Sequence, residues 1–270
     1  MIKLIDIVNE ILDLENTFNP KIVSDRLEYE QKLNQLISYL KTKNKVLLLT
    51  CSNRTKNIPG VVDETPKSTA LAHKIKDLLS QYTTVELVDI PELKILPCEG
   101  NVSRYDGNSC GVMKSMLKDK TKNPSGYHRC WASVNDLSDE LWKVTKPLFE
   151  SEAVIFFASV RWGQANMFYQ NLIERLTWIE NRHSSLGEDN VVKNIDAGFI
   201  CIGQNWNGAE VVKTQKEVLK FYGFNVPDIL SFNWQYTDVS TDESNDSYEE
   251  SRPAFLHVFN MDDTLLYKDK

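Results

Sequence analysis

The spacing of apolar positions divides the chain into two regimes. Over residues 1–44 they recur at helical spacing: Leu4, Ile5, Val8, Ile11 and Leu12, then Leu27, Leu33, Leu36, Ile37 and Leu40 after the Asn19-Pro20 break. Two helices are expected, and their apolar stripes need a surface to cover, on this chain or on a second subunit. From Lys45 onward short continuous apolar runs alternate with helical stretches. Val46-Leu47-Leu48-Leu49 reads as a strand buried on both faces. A helix opening at Ser68 carries Leu71, Ile75, Leu78 and Leu79 on one face, and residues 85–90 form the next strand. An irregular stretch over 91–136 leads to a helix at 137–150, a strand at 153–157, a helix at 165–182 and a strand at 197–202. A helix at 210–222, closed by Gly223, and a fifth strand at 226–232 complete the series, with Pro227 placing that strand at an edge or at its own start.

Strands alternating with helices specify an α/β fold with a parallel sheet covered on both faces. Residues 237–250 are acidic and read as a solvated loop, with structure resuming near Phe255-Leu256-His257-Val258. The expected organisation is a helical extension (1–44), one α/β domain (45–235) and an acidic C-terminal tail (236–270).

Composition narrows the partners. The 270 residues are 41% hydrophobic and 26% charged, with a formal net charge of -7. That balance disfavours duplex nucleic acid, whose phosphates need clustered cations, and a polybasic membrane-surface mode. No apolar run approaches the roughly 18 residues that cross a bilayer. Glu10, Asp13 and Glu15 interrupt the N-terminal apolar residues, unlike a secretory leader. Five scattered cysteines suggest no disulfide framework, so the expected home is the cytoplasm.

Ligands of open α/β sheets bind beyond the carboxyl ends of the strands, at the point where strand order reverses. Three segments occupy such places. The first runs Ser52-Asn53-Arg54-Thr55-Lys56 and on to Pro66-Lys67-Ser68-Thr69, where hydroxyls and cations surround a helix N-terminus suited to an anion. No Walker sequence is present, so a monophosphate or carboxylate fits better than a triphosphate. The plainer reading makes Ser68 an N-cap only. The second segment is Ser159-Val160-Arg161-Trp162-Gly163-Gln164-Ala165-Asn166, in which Trp162 could wall a flat aromatic ligand or simply be core. The third, Gly203-Gln204-Asn205-Trp206-Asn207-Gly208, suits hydrogen bonding to a heterocycle edge, or a plain turn with Asn207 as N-cap.

With these loops in order, residues 45–232 resemble the flavodoxin-like NAD(P)H-dependent FMN reductases. Ser52-x-Arg54 followed by Ser68-Thr69 resembles that family's phosphate loop. Pro97-Cys98-Glu99-Gly100, Ser159-Val160-Arg161-Trp162-Gly163 and Ile173-Glu174-Arg175-Leu176 fall where its other motifs fall. The Arg-Trp-Gly loop departs from the common Thr-Pro-x-Tyr-x-Gly and marks a divergent branch. The resemblance implies a three-layer sandwich with a five-stranded parallel sheet of order 2-1-3-4-5. It implies FMN phosphate on Ser52, Arg54, Ser68 and Thr69, and the ring against Ser159, Val160, Arg161, Trp162, Gly163, Gly203, Gln204, Asn205 and Trp206. NAD(P)H would reduce the flavin and a small acceptor (flavin, quinone, nitro- or azo-compound) would reoxidise it, in a homodimer. Arg161 is expected to stabilise negative charge on the reduced ring. Two other readings remain: a flavodoxin-type electron carrier, and a flavin-free enzyme acting on a phosphorylated small molecule.

Some flavoproteins of this kind hold an iron–sulfur cluster after the second strand, where Cys98, Cys110 and Cys130 lie. Compact Cys-x-x-Cys spacing is absent, so ordinary thiols and no metal are expected. Cys51 and Cys201 read as small core residues. None of His73, His128, His183 and His257 is paired at i, i+4. Asp136, Asp139 and Glu140 suit charge compensation at a helix N-terminus, and Trp131 and Trp142 could shield the flavin but read more simply as core.

Overall fold

A computed structural model of the protein describes residues 20–53, 64–105, 107–239, 241–242 and 244–262. The helix expected around Leu4 to Leu12 lies outside them. The described strands are β1 (Lys45–Thr50), β2 (Thr84–Asp89), β3 (Ala153–Arg161), the two-residue β4 (Gln164–Ala165), β5 (Asp196–Gly203) and β6 (Phe232–Gln235). Five of them run parallel in the order β2-β1-β3-β5-β6, while β4 turns back antiparallel on the end of β3. With β4 set aside, this is the 2-1-3-4-5 order of the flavodoxin-like fold.

The described helical segments are α1 (Pro20–Leu40), α2 (Lys67–Leu79), α3 (Lys114–Lys118), α4 (Trp131–Asn135), α5 (Trp142–Glu150), α6 (Met167–Leu176), α7 (Trp178–Glu180), α8 (Gly208–Phe221) and α9 (Asn245–Val258). The two-residue strand period sorts the central strands between two cores. Leu47, Leu49, Val154, Phe156 and Phe199 pack with α5, α6 and α8. Val46, Leu48, Ile155, Phe157 and Ile200 pack with α1, α2 and α9. The continuous apolar runs in β1, β3 and β5 follow from this, because every position meets a helix layer.

Of the two surfaces open to the N-terminal region, residues 20–40 cover this chain's own sheet. Tyr29 donates its hydroxyl to the Asn233 carbonyl, and Trp234 Nε1 donates to Asp25 at 3.2 Å. Leu27 departs from the expected stripe and is exposed.

Several boundaries differ from the sequence reading. The fifth strand begins at Phe232, because Pro227 leads into a 3-10 turn over Asp228–Leu230. The stretch read as a solvated loop is helical from Asn245, capped by Ser244, whose side chain accepts from Ser247 N. Helix α5 starts at Trp142 rather than near 137, since the preceding residues turn around Asp139. Helix α6 ends at Leu176 and gives way to α7 and a wide turn over Asn181–Ser185.

That turn around Asp139 is held by a buried ion pair. Asp139 and Arg175 have fully buried side chains, with Arg175 NH1 2.7 Å from Oδ2 and NH2 3.0 Å from Oδ1. Arg175 also donates to the Leu96 carbonyl at 2.6 Å, the Ser133 hydroxyl at 2.8 Å and Cys130 Sγ at 3.3 Å. Asp139 accepts further bonds from Leu96 N, Ser133 Oγ and Leu141 N. One helix residue thus fastens four points of the long β2–α5 connection. The role foreseen for Asp139, charge compensation at a helix N-terminus, gives way to this pair. Burial alone would raise the Asp139 pKa, but Arg175 and the other donors outweigh it and hold the carboxyl below its ordinary value.

Arg175→Ala leaves a buried carboxylate without its counter-charge and is expected to cost about 3–5 kcal/mol in urea unfolding, whereas joint replacement by Met and Leu costs much less. A depressed folded pKa adds stability above the unfolded value of about 3.9 and loses it as pH falls through the lower folded value. Acid unfolding of Asp139→Asn should therefore be less steep below pH about 4.

Candidate functional site

The carboxyl ends of β1, β3 and β5 open on a cavity of about 590 Å³. The connection after β1 contributes Ser52 and, where it enters α2, Thr65, Pro66, Lys67 and Ser68. The end of β3 contributes Ser159, Val160, Arg161 and Trp162, and the end of β5 Ile202, Gly203, Gln204, Asn205 and Trp206. Helix α9 supplies Tyr248, Ser251 and Arg252. Of the site residues expected from the sequence, Ser52, Ser68, Ser159, Val160, Arg161, Trp162, Gly203, Gln204, Asn205 and Trp206 come together here. Thr69 is buried in α2 and does not line the cavity, and Gly163 lies beneath Trp206 instead. Arg54 lies outside the described residues.

Ser68 is not a capping residue. Helix α2 opens at Lys67 after Pro66, with no side-chain cap bond, so Ser68 sits inside the first turn. Pro66 suits the helix start because its fixed φ needs no N–H partner.

The β3–β4 turn has Trp162 at φ 51° and Gly163 at φ 70°, two consecutive left-handed residues between paired Arg161 and Gln164. This is the backbone of a two-residue hairpin turn whose twist matches the strands. Glycine adopts that conformation freely, whereas tryptophan does so against a steric cost. A Cβ at residue 163 would lie 2.7 Å from the Trp206 ring. Trp162 itself is 93% exposed, on the cavity rim. Trp206 at 41% and Tyr248 at 48% share that rim. The core alternative for Trp162 does not hold; Trp131 and Trp142, read as core, are only partly buried and belong to neither core cluster nor the cavity lining.

Side-chain amides fasten the loops to one another. Buried Asn166 donates from Nδ2 to the Cys51 carbonyl and to Asn53 Oδ1 at 2.5 Å, and its Oδ1 accepts from Ser159 N at 3.2 Å. Asn207 Nδ2 donates to the Gly163 carbonyl at 2.5 Å instead of capping α8. Gln204 Nε2 reaches the Ser247 carbonyl at 3.1 Å and hydroxyl at 3.0 Å, and Asn205 Nδ2 the Asp242 carbonyl at 3.1 Å. The amides read as heterocycle donors thus also act as staples from loop to loop and to the C-terminal segment. Lys67 and Asn166 fall in the segments singled out from the sequence, but the cross-links they make, and the α9 residues, were missed because the partners are distant in sequence. The asparagine directly after the hairpin was the only local hint.

Charge distinguishes the cavity from the rest of the chain. Its lining holds Lys67, Arg161 and Arg252 and no carboxylate among the described residues, in a chain of net charge -7. Ser159 Oγ on the wall is buried with no hydrogen-bond partner among the described residues. Elsewhere Cys51 and Cys201 are fully buried, and burial pushes the thiols of Cys110 and Cys201 up to about 12. Among the described residues, no three His, Cys, Asp or Glu side chains are arranged to hold a metal, and no helix is long and apolar enough to cross a membrane.

Fold and site together define a flavodoxin-like α/β protein with a cationic, aromatic-rimmed cavity at its switch point. No family model and no curated protein matches the chain. Solved structures similar to it include RosB with bound 8-demethyl-8-formylriboflavin-5'-phosphate, at 14% identity and TM-score 0.48 over 80% of this chain and 75% of that one. An FMN-dependent NADH-azoreductase from Bacillus anthracis in complex with FMN gives 11% and 0.43 over 80% and 97%. An NAD(P)H:quinone oxidoreductase from Methanothermobacter marburgensis gives 10% and 0.38 over 80% and 94%. Similarity at this level carries no functional weight, and the fold assignment rests on the strand order.

Asn166→Ala strands the Cys51 carbonyl and the Ser159 amide, and a loss of about 1–3 kcal/mol is expected in thermal or urea unfolding. Faster amide exchange should be confined to residues 51–53 and 159–163. Uniform acceleration along the chain would contradict a local clamp.

Proposed function

We propose that the chain is an FMN-binding oxidoreductase that passes reducing equivalents from NAD(P)H to a small acceptor. The observation that carries this reading is the convergence of three separate strand-end loops on one cationic cavity with an orphaned serine hydroxyl on its wall. The residues fit the group. Ser52, Lys67 and Ser68 offer hydroxyls and a cation to a phosphate at the start of α2, where the helix dipole favours an anion. Val160, Trp162, Ile202 and Trp206 offer apolar and aromatic wall for a flat ring, and the Ser159 hydroxyl is available to its polar edge.

FMN, when bound, supplies two-electron chemistry between a reduced nicotinamide and an acceptor. The protein's part is to orient both partners and to limit water. Arg161 is a fixed positive charge on the wall, which favours whichever redox form of the ring carries more negative charge. No strong general acid or base is required. The exposed rim formed by Trp162, Trp206 and Tyr248 leaves the mouth open to an exchanging substrate.

The purified chain should take up FMN with the appearance of flavin absorbance bands, and the bands should bleach under anaerobic NAD(P)H. A chain that stays colourless after FMN incubation refutes the proposal, and flavin uptake without bleaching indicates an electron carrier. Arg161→Ala should retain FMN with a more negative reduction potential, and an unchanged potential would remove Arg161 from this role.

A further inference from the structure

The C-terminal helix adds a third cation, Arg252, to Lys67 and Arg161 on the cavity lining. Arg252 lines the cavity together with Tyr248 and Ser251 of α9, all three within one turn of that helix. Lys67 Nζ donates to Ser251 Oγ at 2.6 Å, which joins the first turn of α2 to α9 and brings the two cations to one seam. Arg252 NH2 lies 2.5 Å from Glu64 Oε1, three residues before Lys67, with both side chains partly exposed. Glu64 orients the guanidinium and does not itself line the cavity. Gln204 anchors α9 from the opposite side through Ser247.

We propose that Arg252 and Lys67 form a recognition pair for a phosphate monoester, with Arg252 a specificity-determining residue supplied by the C-terminal helix. Such a group carries close to two negative charges near neutral pH, and Arg252, being ion-paired with Glu64, adds direction rather than net charge to the Lys67 ammonium. A planar guanidinium adds a geometry-specific, charge-assisted contact that ammonium cannot copy. Ser68 supplies a hydroxyl at the same seam, while Ser251, which accepts from Lys67 and donates to the Tyr248 carbonyl at 2.8 Å, holds the ammonium in place. Two ligands of the proposed reaction carry this chemistry: FMN through its 5'-phosphate, and NADPH through its 2'-phosphate. The assignment rests on the flavin reading above.

The test uses the full chain and Arg252→Ala, Arg252→Lys and Glu64→Gln, with FMN and riboflavin as binding probes and NADPH and NADH as reductants. If the phosphate is that of FMN, Arg252→Ala weakens FMN about tenfold or more while riboflavin affinity stays unchanged. If it is that of NADPH, the variant raises KM for NADPH by a similar factor and leaves kcat and the NADH values alone. Arg252→Lys should recover part of the loss, and Glu64→Gln should retain phosphate discrimination. Equal weakening of FMN and riboflavin, or no change with any of the four, overturns the assignment while wild-type flavin binding stands. A wild-type chain that binds neither flavin overturns the parent reading and this one with it. Unfolding temperatures of each variant separate lost recognition from lost fold.

Discussion

Burial of the central strands on both faces is the constraint from which the rest follows. In β1, β3 and β5 nearly every side chain is closed off from water by helices above and below. Strands of that kind leave no solvated face, and parallel pairing with crossover helices is the arrangement that covers both sides. Parallel strands bring all their carboxyl ends to one rim. Three connections distant in sequence are thereby delivered to one place, and the cavity lies where they meet.

Delivery alone does not give a site its shape, because loops need fixing. Two kinds of polar contact do this. On one face the buried Arg175–Asp139 pair holds the long β2–α5 connection against α6. At the rim, Asn166, Asn207, Gln204 and Asn205 pass hydrogen bonds from loop to loop and on to the segment leading into α9. Amides suit this work: each offers donors and an acceptor without the desolvation cost of a charge. At the rim, therefore, the loops that carry the wall are tied to one another by neutral groups.

The electrostatic contrast gives the cavity its chemical meaning. The chain carries a net charge of -7, yet the described lining of this cavity is wholly cationic in its charged members. Three exposed aromatic residues stand at its mouth. A ligand with an anionic tail and a planar ring matches both features. Trp162 holds a left-handed backbone conformation at this mouth, which is the kind of local strain that accompanies binding loops.

Much of the fold was legible in the chain because its signals are local. Continuous apolar runs announced the buried strands, helical spacing announced the layers, and the alternation of the two fixed the sheet as parallel. Candidate loops followed, since they are whatever comes after such strands. Boundaries governed by long-range packing were less legible. Asp139 looked like a helix-start residue because its partner Arg175 is far along the chain, and the fifth strand was placed early because the turn after Pro227 packs onto Gly198 of β5. The acidic segment before α9 looked like solvent-exposed chain, for its helix finds its purpose only against the sheet and the cavity. Which loops converge, which amides tie them and which cations line the wall were decided by the tertiary structure alone, because those contacts join residues whose nearness exists only after the sheet has formed.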